Sequence, residues 1–228
     1  RRGQKMIEET PSHVLSDELR ERMGAAAVAA ARAAGYQNAG TVEFVLDHTG
    51  EFYFIEMNTR IQVEHPITEM VSDVDLVREQ IRVAAGLPLG FTQEDIHIKG
   101  HAIECRVNAE DPTRNFAPSP ARIDFLHVPG GMGVRVDTGI YQGYTVPAQY
   151  DSLIAKLDVW APTRLEALRR CRRALEELIV EGPATNIDLL HQVMYHPQFI
   201  HGTYTTSFMD EHLQEILGWD AEQKKVSA

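Results

Sequence analysis

Glu43, Glu56, Asn58, Arg60, Gln62 and Glu64 fall within two neighbouring runs, Gly40-Thr-Val-Glu-Phe-Val-Leu46 and Phe52-Tyr-Phe-Ile-Glu-Met-Asn-Thr-Arg-Ile-Gln-Val-Glu-His-Pro66. Two carboxylates and an amide oxygen make an all-oxygen donor set suited to Mg²⁺, which commonly shares its shell with water and nucleotide phosphates. Arg60 adds a permanent cation, Gln62 an amide and Glu64 a further acid. An anion clamp and a general base beside an acid-bound metal are the parts needed for phosphoryl transfer to a small oxyanion. Two solvated glutamates on an open sheet face are the competing reading of Glu43 and Glu56 taken alone.

The two runs flank Asp47-His-Thr-Gly50, which predicts a β-hairpin closed at Thr49-Gly50. That loop sets His48 against Glu51 and Glu43 against Glu56, with Cβ atoms roughly 5 Å apart, a like-charged pairing that a cation relieves. Alternation then places Val42, Phe44, Leu46, Tyr53, Ile55 and Met57 on one apolar face that must be buried. Glu43, Glu56, Asn58 and Arg60 share the other face. The polar-apolar pattern is expected to continue through Gln62 and Glu64 and to stop at Pro66.

At these residues the chain resembles biotin carboxylase, the ATP-grasp component of biotin-dependent carboxylases. The resemblance is carried by Glu43-Phe44, Phe54-Ile-Glu-Met-Asn-Thr-Arg60, Gln62-Val-Glu-His-Pro66, His101-Ala-Ile-Glu-Cys-Arg-Val-Asn-Ala-Glu-Asp-Pro112 and Tyr150-Asp-Ser152. It implies an α+β fold: the C-terminal half of an ATP-grasp domain, an antiparallel sheet with flanking helices, over residues 1–96. A biotin carboxylase C-terminal α+β domain over 97–218 and a frayed tail at 219–228 follow.

The resemblance also assigns roles. Glu43, Glu56 and Asn58 hold Mg²⁺ (or Mn²⁺) on ATP, and Lys5, Arg60, Gln62 and the Val63 backbone grip bicarbonate. Glu64 removes the bicarbonate proton, so Arg60 and Glu64 are the catalytic pair. Arg106 stabilises the biotin enolate at its ureido oxygen, a task suited to a planar, permanently charged fork. On the bare sequence, a structural salt bridge from Arg106 to Glu104 or Glu110 competes with that role. Asp151 orients Arg60, and Met132 and Arg135 lie at a homodimer interface. The implied reaction is ATP-dependent carboxylation of biotin with bicarbonate through carboxyphosphate. It is the first half-reaction of acetyl-CoA carboxylase in fatty acid biosynthesis, with a biotin carboxyl carrier protein and a carboxyltransferase as partners.

Gly3 stands where the family usually has histidine. The chain opens at Arg1 without methionine and has no glycine-rich phosphate loop, so the resemblance implies a C-terminal half, inactive alone, that lacks the nucleotide-covering lid. Three readings compete. The first is the biotin carboxylase of acetyl-CoA carboxylase, or of another acyl-CoA, pyruvate or urea carboxylase. The second is another ATP-grasp ligase such as carbamoyl-phosphate synthetase, disfavoured by the 62–66 and 101–112 motifs. The third is a non-catalytic dimerisation fragment.

Composition narrows the partners. The 228 residues carry a net charge of −11 with 43% hydrophobic content, which argues against nucleic acid or an anionic membrane surface. No run of 18 apolar residues occurs, so neither a membrane span nor a signal peptide is expected. Cys105 and Cys171 fall inside an apparent strand and helix, which predicts free thiols in a reducing, cytoplasmic setting.

Around the hairpin, the pattern predicts a short strand ending before Pro11 and a helix capped by Ser16, alanine-rich to Ala34 and packed closely on a sheet. A second helix is expected from Asp75 to Ala85 and a helical turn at Thr92–Asp95. Strands are expected from His101 to Asn108, Ile123 to Val128 and Leu153 to Trp160, with a glycine loop at Pro129–Arg135. A helix from Thr163 to Val180 carries an apolar stripe of Leu165, Leu168, Cys171, Leu175 and Leu178. Its arginines form a solvated face with Glu166 and Glu177 as partners. Helices over Asn186–Tyr195 and Thr206–Gly218 complete the pattern, and no histidine spacing matches a zinc site.

Overall fold

In chain order the strands are β1 (Ile7–Thr10), β2 (Thr41–Leu46), β3 (Phe52–Asn58), β4 (His101–Asn108), β5 (Glu110–Asp111), β6 (Ala117–Pro118), β7 (Phe125–His127), β8 (Val134–Thr138), β9 (Leu153–Ala161) and β10 (Ile179–Glu181). The helices are α1 (Asp17–Ala33), α2 (His65–Ser72), α3 (Leu76–Ala84), α4 (Arg164–Glu177), α5 (Ile187–Val193), α6 (Pro197–His201) and α7 (Phe208–Val226). The computed structural model describes residues 4–226, with side chains through Trp219. Gly3 and the last residues of the expected frayed tail lie outside the described residues. The rest of that tail is helical, because α7 continues past Gly218.

The chain divides into two compact units, Pro11–Lys99 and Arg1–Thr10 with Gly100–Ala228. Both mix helix with antiparallel sheet, the α+β class expected. The second unit is built on a four-stranded sheet ordered β1-β4-β9-β8. Its strands pair antiparallel throughout, so the residues before Pro11 join strands that come after Lys99. Ile103, Cys105, Val107, Leu157 and Val159 are fully buried, as are Ala167, Leu168, Cys171 and Ala174 of α4. Burying one such aliphatic side chain stabilises by about 1.5–3 kcal/mol. The two cysteines are free, with Sγ atoms 3.6 Å apart in this core.

Helix α4 begins where its cap requires, with Thr163 accepting from the Glu166 amide. It ends sooner than the periodicity predicts, since Ile179–Glu181 leaves as β10 to pair with β7. Leu165, expected in the apolar stripe, is 48% exposed. The arginines of α4 are not a uniformly solvated face. Arg173 pairs with Glu177, but Arg172 donates to the Met194 carbonyl, Arg170 to the Trp160 carbonyl and Arg164 to Glu9.

The first unit holds the hairpin and three helices. Ser16 caps α1 as expected, yet no residue of α1 is buried. Its half-buried positions, Leu19, Met23, Ala26, Ala27, Ala30 and Ala31, form one stripe at helical spacing. Pro66 does not stop a strand. It occupies the first turn of α2, where its missing N–H has no partner to lose, and Asp75 caps α3.

Candidate active site

The hairpin loop differs from expectation, and the difference sorts the faces. Asp47 Oδ1 accepts from the amides of Thr49 and Glu51 at 2.8 and 3.0 Å, and Gly50 donates to the Asp47 carbonyl at 3.2 Å. These bonds make a three-residue loop with Gly50 at φ 86°, a left-handed position that favours glycine. Leu46 therefore pairs with Phe52 and Phe44 with Phe54. A register shift between Glu43 and Phe44 then restores the pairings Glu43–Glu56, Val42–Met57 and Thr41–Asn58. The two offsets cancel at the acids.

Below the shift they do not cancel. Phe52 and Phe54, rather than Tyr53 and Ile55, share a face with Phe44, whose ring meets theirs edge-on at 5.3 and 6.4 Å. Nor is that face buried, since Phe54 is 58% exposed and no residue of β2 or β3 is buried.

On the polar face Asn58 Nδ2 donates to Glu43 Oε1 at 3.1 Å and to Glu56 Oε1 at 3.0 Å. One amide group thus sits between two carboxylates, where it offsets their repulsion. Those three side chains supply the hard oxygen ligands that Mg²⁺ or Mn²⁺ prefers, and turning the amide would present its oxygen with both acids. The residues present fit the metal.

Beyond Asn58 the chain leaves the sheet, so Arg60, Gln62, Val63 and Glu64 lie on the turn that leads into α2. Arg60 Nη1 donates to Gln62 Oε1 at 3.0 Å and to the Ile61 carbonyl at 3.1 Å, while Nη2 is 3.4 Å from Asn58 Oδ1. Gln62 Nε2 reaches Glu43 Oε1 at 3.5 Å. Glu43, Glu56, Asn58, Arg60 and Gln62 are therefore one connected set. Glu64 occupies the N-cap position of α2 without capping it by its side chain.

The other expected residues lie in the second unit. Lys5 is exposed just before β1, and Arg106 on β4 donates its amide to the Met6 carbonyl at 2.9 Å. Arg106 keeps one of the partners expected for it, Glu104, whose Oε1 lies 3.9 Å from Nε. A second carboxylate, that of Glu8, lies 2.5 Å from Nη2, and Glu110 accepts from the Ser152 hydroxyl. Asp151 accepts from the Leu153 amide at the start of β9. Met132 is 85% exposed, and Arg135 makes a two-pronged pair with Asp137 at 2.8 Å, whose hydrogen bonds and charge hold the Asp137 carboxyl below its usual range.

The fold also gathers a cluster that sequence spacing does not disclose. His196, His212 and Glu215 bring ligand atoms within 4.8 Å of one another. His196 Nδ1 accepts the Gln198 amide at 3.3 Å, which leaves its ring proton on Nε2, the nitrogen facing Glu215. His196 thereby caps α6.

Residues 1–92 match the family model for the ATP binding domain of the carbamoyl-phosphate synthase L chain. With the acidic face of the hairpin, that match defines the class of ATP-grasp ligases. Residues 104–211 match the biotin carboxylase C-terminal domain. The chain belongs to the biotin carboxylase family. It is 56% identical over 226 residues to a pyruvate carboxylase subunit of Methanothermobacter thermautotrophicus, covering 99% of this chain and 45% of that protein. It is 52% identical to biotin carboxylase 1 of Bacillus subtilis, covering 96% of this chain and 48% of the relative. The biotin carboxylase domain dimer of the Hydrogenobacter thermophilus 2-oxoglutarate carboxylase, solved with MgADP, ADP and bicarbonate, superposes with a TM-score of 0.92 at 50% identity. That superposition covers 95% of this chain and 48% of the other. The chain therefore spans about half the length of the relatives it matches. Among the described residues no helix is long and apolar enough to cross a membrane.

Proposed function

We propose that the complete protein carboxylates biotin, borne on a carrier protein, with ATP and bicarbonate. The observation that carries the reading is the connected set Glu43, Glu56, Asn58, Arg60 and Gln62, with Glu64 two residues on at the N-cap position of α2. Glu43, Glu56 and Asn58 would hold Mg²⁺ or Mn²⁺, which when bound neutralises nucleotide phosphate charge.

Arg60, Gln62, Lys5 and the Val63 backbone bind bicarbonate, with Asp151 orienting Arg60. Glu64 takes the bicarbonate proton. The freed oxygen forms a bond to the γ-phosphorus as the bond to ADP breaks, which gives carboxyphosphate and ADP. Carboxyphosphate separates into CO₂ and phosphate, and phosphate takes the ureido N–H proton of biotin. The resulting enolate, its oxygen held by Arg106, attacks CO₂. A positioned base contributes roughly 10²–10⁴-fold to such a step.

The reading includes a homodimer with Met132 and Arg135 at its interface, a carboxyltransferase component and a cytoplasmic setting. It does not choose among acyl-CoA, pyruvate and 2-oxo acid acceptors, because acceptor choice belongs to the transferase. The test is labelled bicarbonate with free biotin and ATP, using the protein of the complete reading frame. Carboxybiotin formation that requires all three supports the reading, and ATP-dependent fixation without biotin contradicts it.

A further inference from the structure

The face of the four-stranded sheet turned away from the cysteine core carries a row of charges that the proposed reaction does not use. Reading across β1, β4, β9 and β8, Glu8 stands opposite Glu104, Glu104 opposite Asp158, and Asp158 opposite Arg135. The neighbouring row sets Arg106 opposite Lys156 and Lys156 opposite Asp137. Glu104 and Asp158 are fully buried.

We propose that Glu8 is a positioning residue, whose carboxylate fixes the Arg106 guanidinium for the ureido oxygen of biotin. The inference rests on the carboxylase reading above and adds to it a residue outside the expected site. Glu8 Oε1 lies 2.5 Å from Arg106 Nη2, with side chains only 9% and 18% exposed. An ion pair so shielded from water is screened far less than a surface pair. Lys156, opposite Arg106 on β9, reaches Asp137 on β8 at 3.5 Å.

Glu104 is the rival partner, 3.9 Å from Arg106 Nε. Burial raises its pKa, and the facing carboxylates of Asp158 and Glu8 raise it further. Charge on Glu104 is therefore disfavoured, and the Glu8 carboxylate lies closer to the guanidinium. The backbone is held as well, because the buried Asn186 donates to the Arg106 carbonyl at 2.9 Å and accepts from the Asn108 amide at 2.8 Å. With the strand pinned, the remaining freedom of Arg106 is its long side chain. Fixing that chain in advance removes a cost otherwise met on binding.

The test measures ATP cleavage against free biotin, ATP and bicarbonate in the complete protein, for wild type, Glu8→Gln, Glu8→Asp and Glu104→Gln. Glu8→Gln is expected to lower biotin-dependent kcat/KM about 10–100-fold, with little change in KM for ATP or bicarbonate. Glu8→Asp, which keeps the charge, restores part of the loss, and Glu104→Gln stays near wild type. If Glu8→Gln does not fold, the proposal stands or falls on Glu8→Asp, which must then change the biotin KM selectively. A biotin-dependent wild type whose Glu8 variants keep wild-type biotin kinetics overturns the proposal alone. A wild type without biotin dependence overturns the carboxylase reading and the proposal with it.

Discussion

Glu43 and Glu56 stand directly opposite on adjacent strands, and a single amide group, that of Asn58, donates to both. The arrangement places two like charges where a sheet tolerates them poorly, at a cost of about 0.2–1 kcal/mol. In the absence of metal, Glu56→Gln is therefore expected to leave thermal stability unchanged or slightly raised. In the complete protein the same change raises the Mg²⁺ or Mn²⁺ concentration needed for ATP cleavage by about 10-fold or more. Melting in EDTA and a metal titration of activity check both halves. A Glu56→Gln variant with wild-type metal demand removes Glu56 from the ligand set.

Glu64→Gln keeps the size of the side chain and removes the base. Turnover should fall by roughly 10²–10⁴-fold while ATP affinity and melting temperature hold. Steady-state kinetics beside nucleotide-binding titration separate this outcome from misfolding. An active Gln variant assigns proton removal to another group.

Glu9 links three elements. It accepts from His101 at 2.7 Å, from Arg164 Nε at 2.7 Å and from Tyr204 at 2.5 Å. Burial alone would raise its pKa, but those hydrogen bonds and the Arg164 charge outweigh it and hold the carboxyl at about 2, against an ordinary 4.5. The folded value is the lower one, so this stabilisation is complete above pH 4.5 and is lost as pH falls from about 4.5 toward 2. It is on the order of 3 kcal/mol. Urea midpoints should show Glu9→Gln well below wild type at pH 6–7, with the gap narrowing through that acid window. A pH-independent gap contradicts the linkage.

Asn186 clamps the backbone on both sides of Val107, at the Arg106 carbonyl and the Asn108 amide. Asn186→Ala leaves buried polar groups without partners and is expected to cost about 2–3 kcal/mol. Hydrogen exchange should speed at the Asn108 amide more than at the centre of α4. Equal acceleration at both places would point to general loosening instead.

Much of this was legible in the sequence because it depends on local spacing. The caps Ser16, Asp75 and Thr163 form where their residue types predict. Glu43 faces Glu56 as alternation requires, although by way of a longer loop and a compensating shift. The shift was hidden because the Asp47 side chain, not the Thr49-Gly50 dipeptide alone, builds the turn. That is why Phe54 replaces Ile55 beside Phe44.

The Glu8–Arg106 pair was not legible, since its partners come from strands far apart in the chain and meet only through sheet order. The same holds for Asn186 against β4.

The central claim is that bicarbonate, activated at Glu64, attacks the γ-phosphate of ATP. Oxygen-18-labelled bicarbonate supplied to the complete protein with ATP, biotin and Mg²⁺ tests it most directly, with the released phosphate read by mass spectrometry. The account predicts phosphate carrying one oxygen from bicarbonate at each biotin-dependent turnover. Phosphate that takes its new oxygen from water instead would show that water, not bicarbonate, is the nucleophile, and would contradict it.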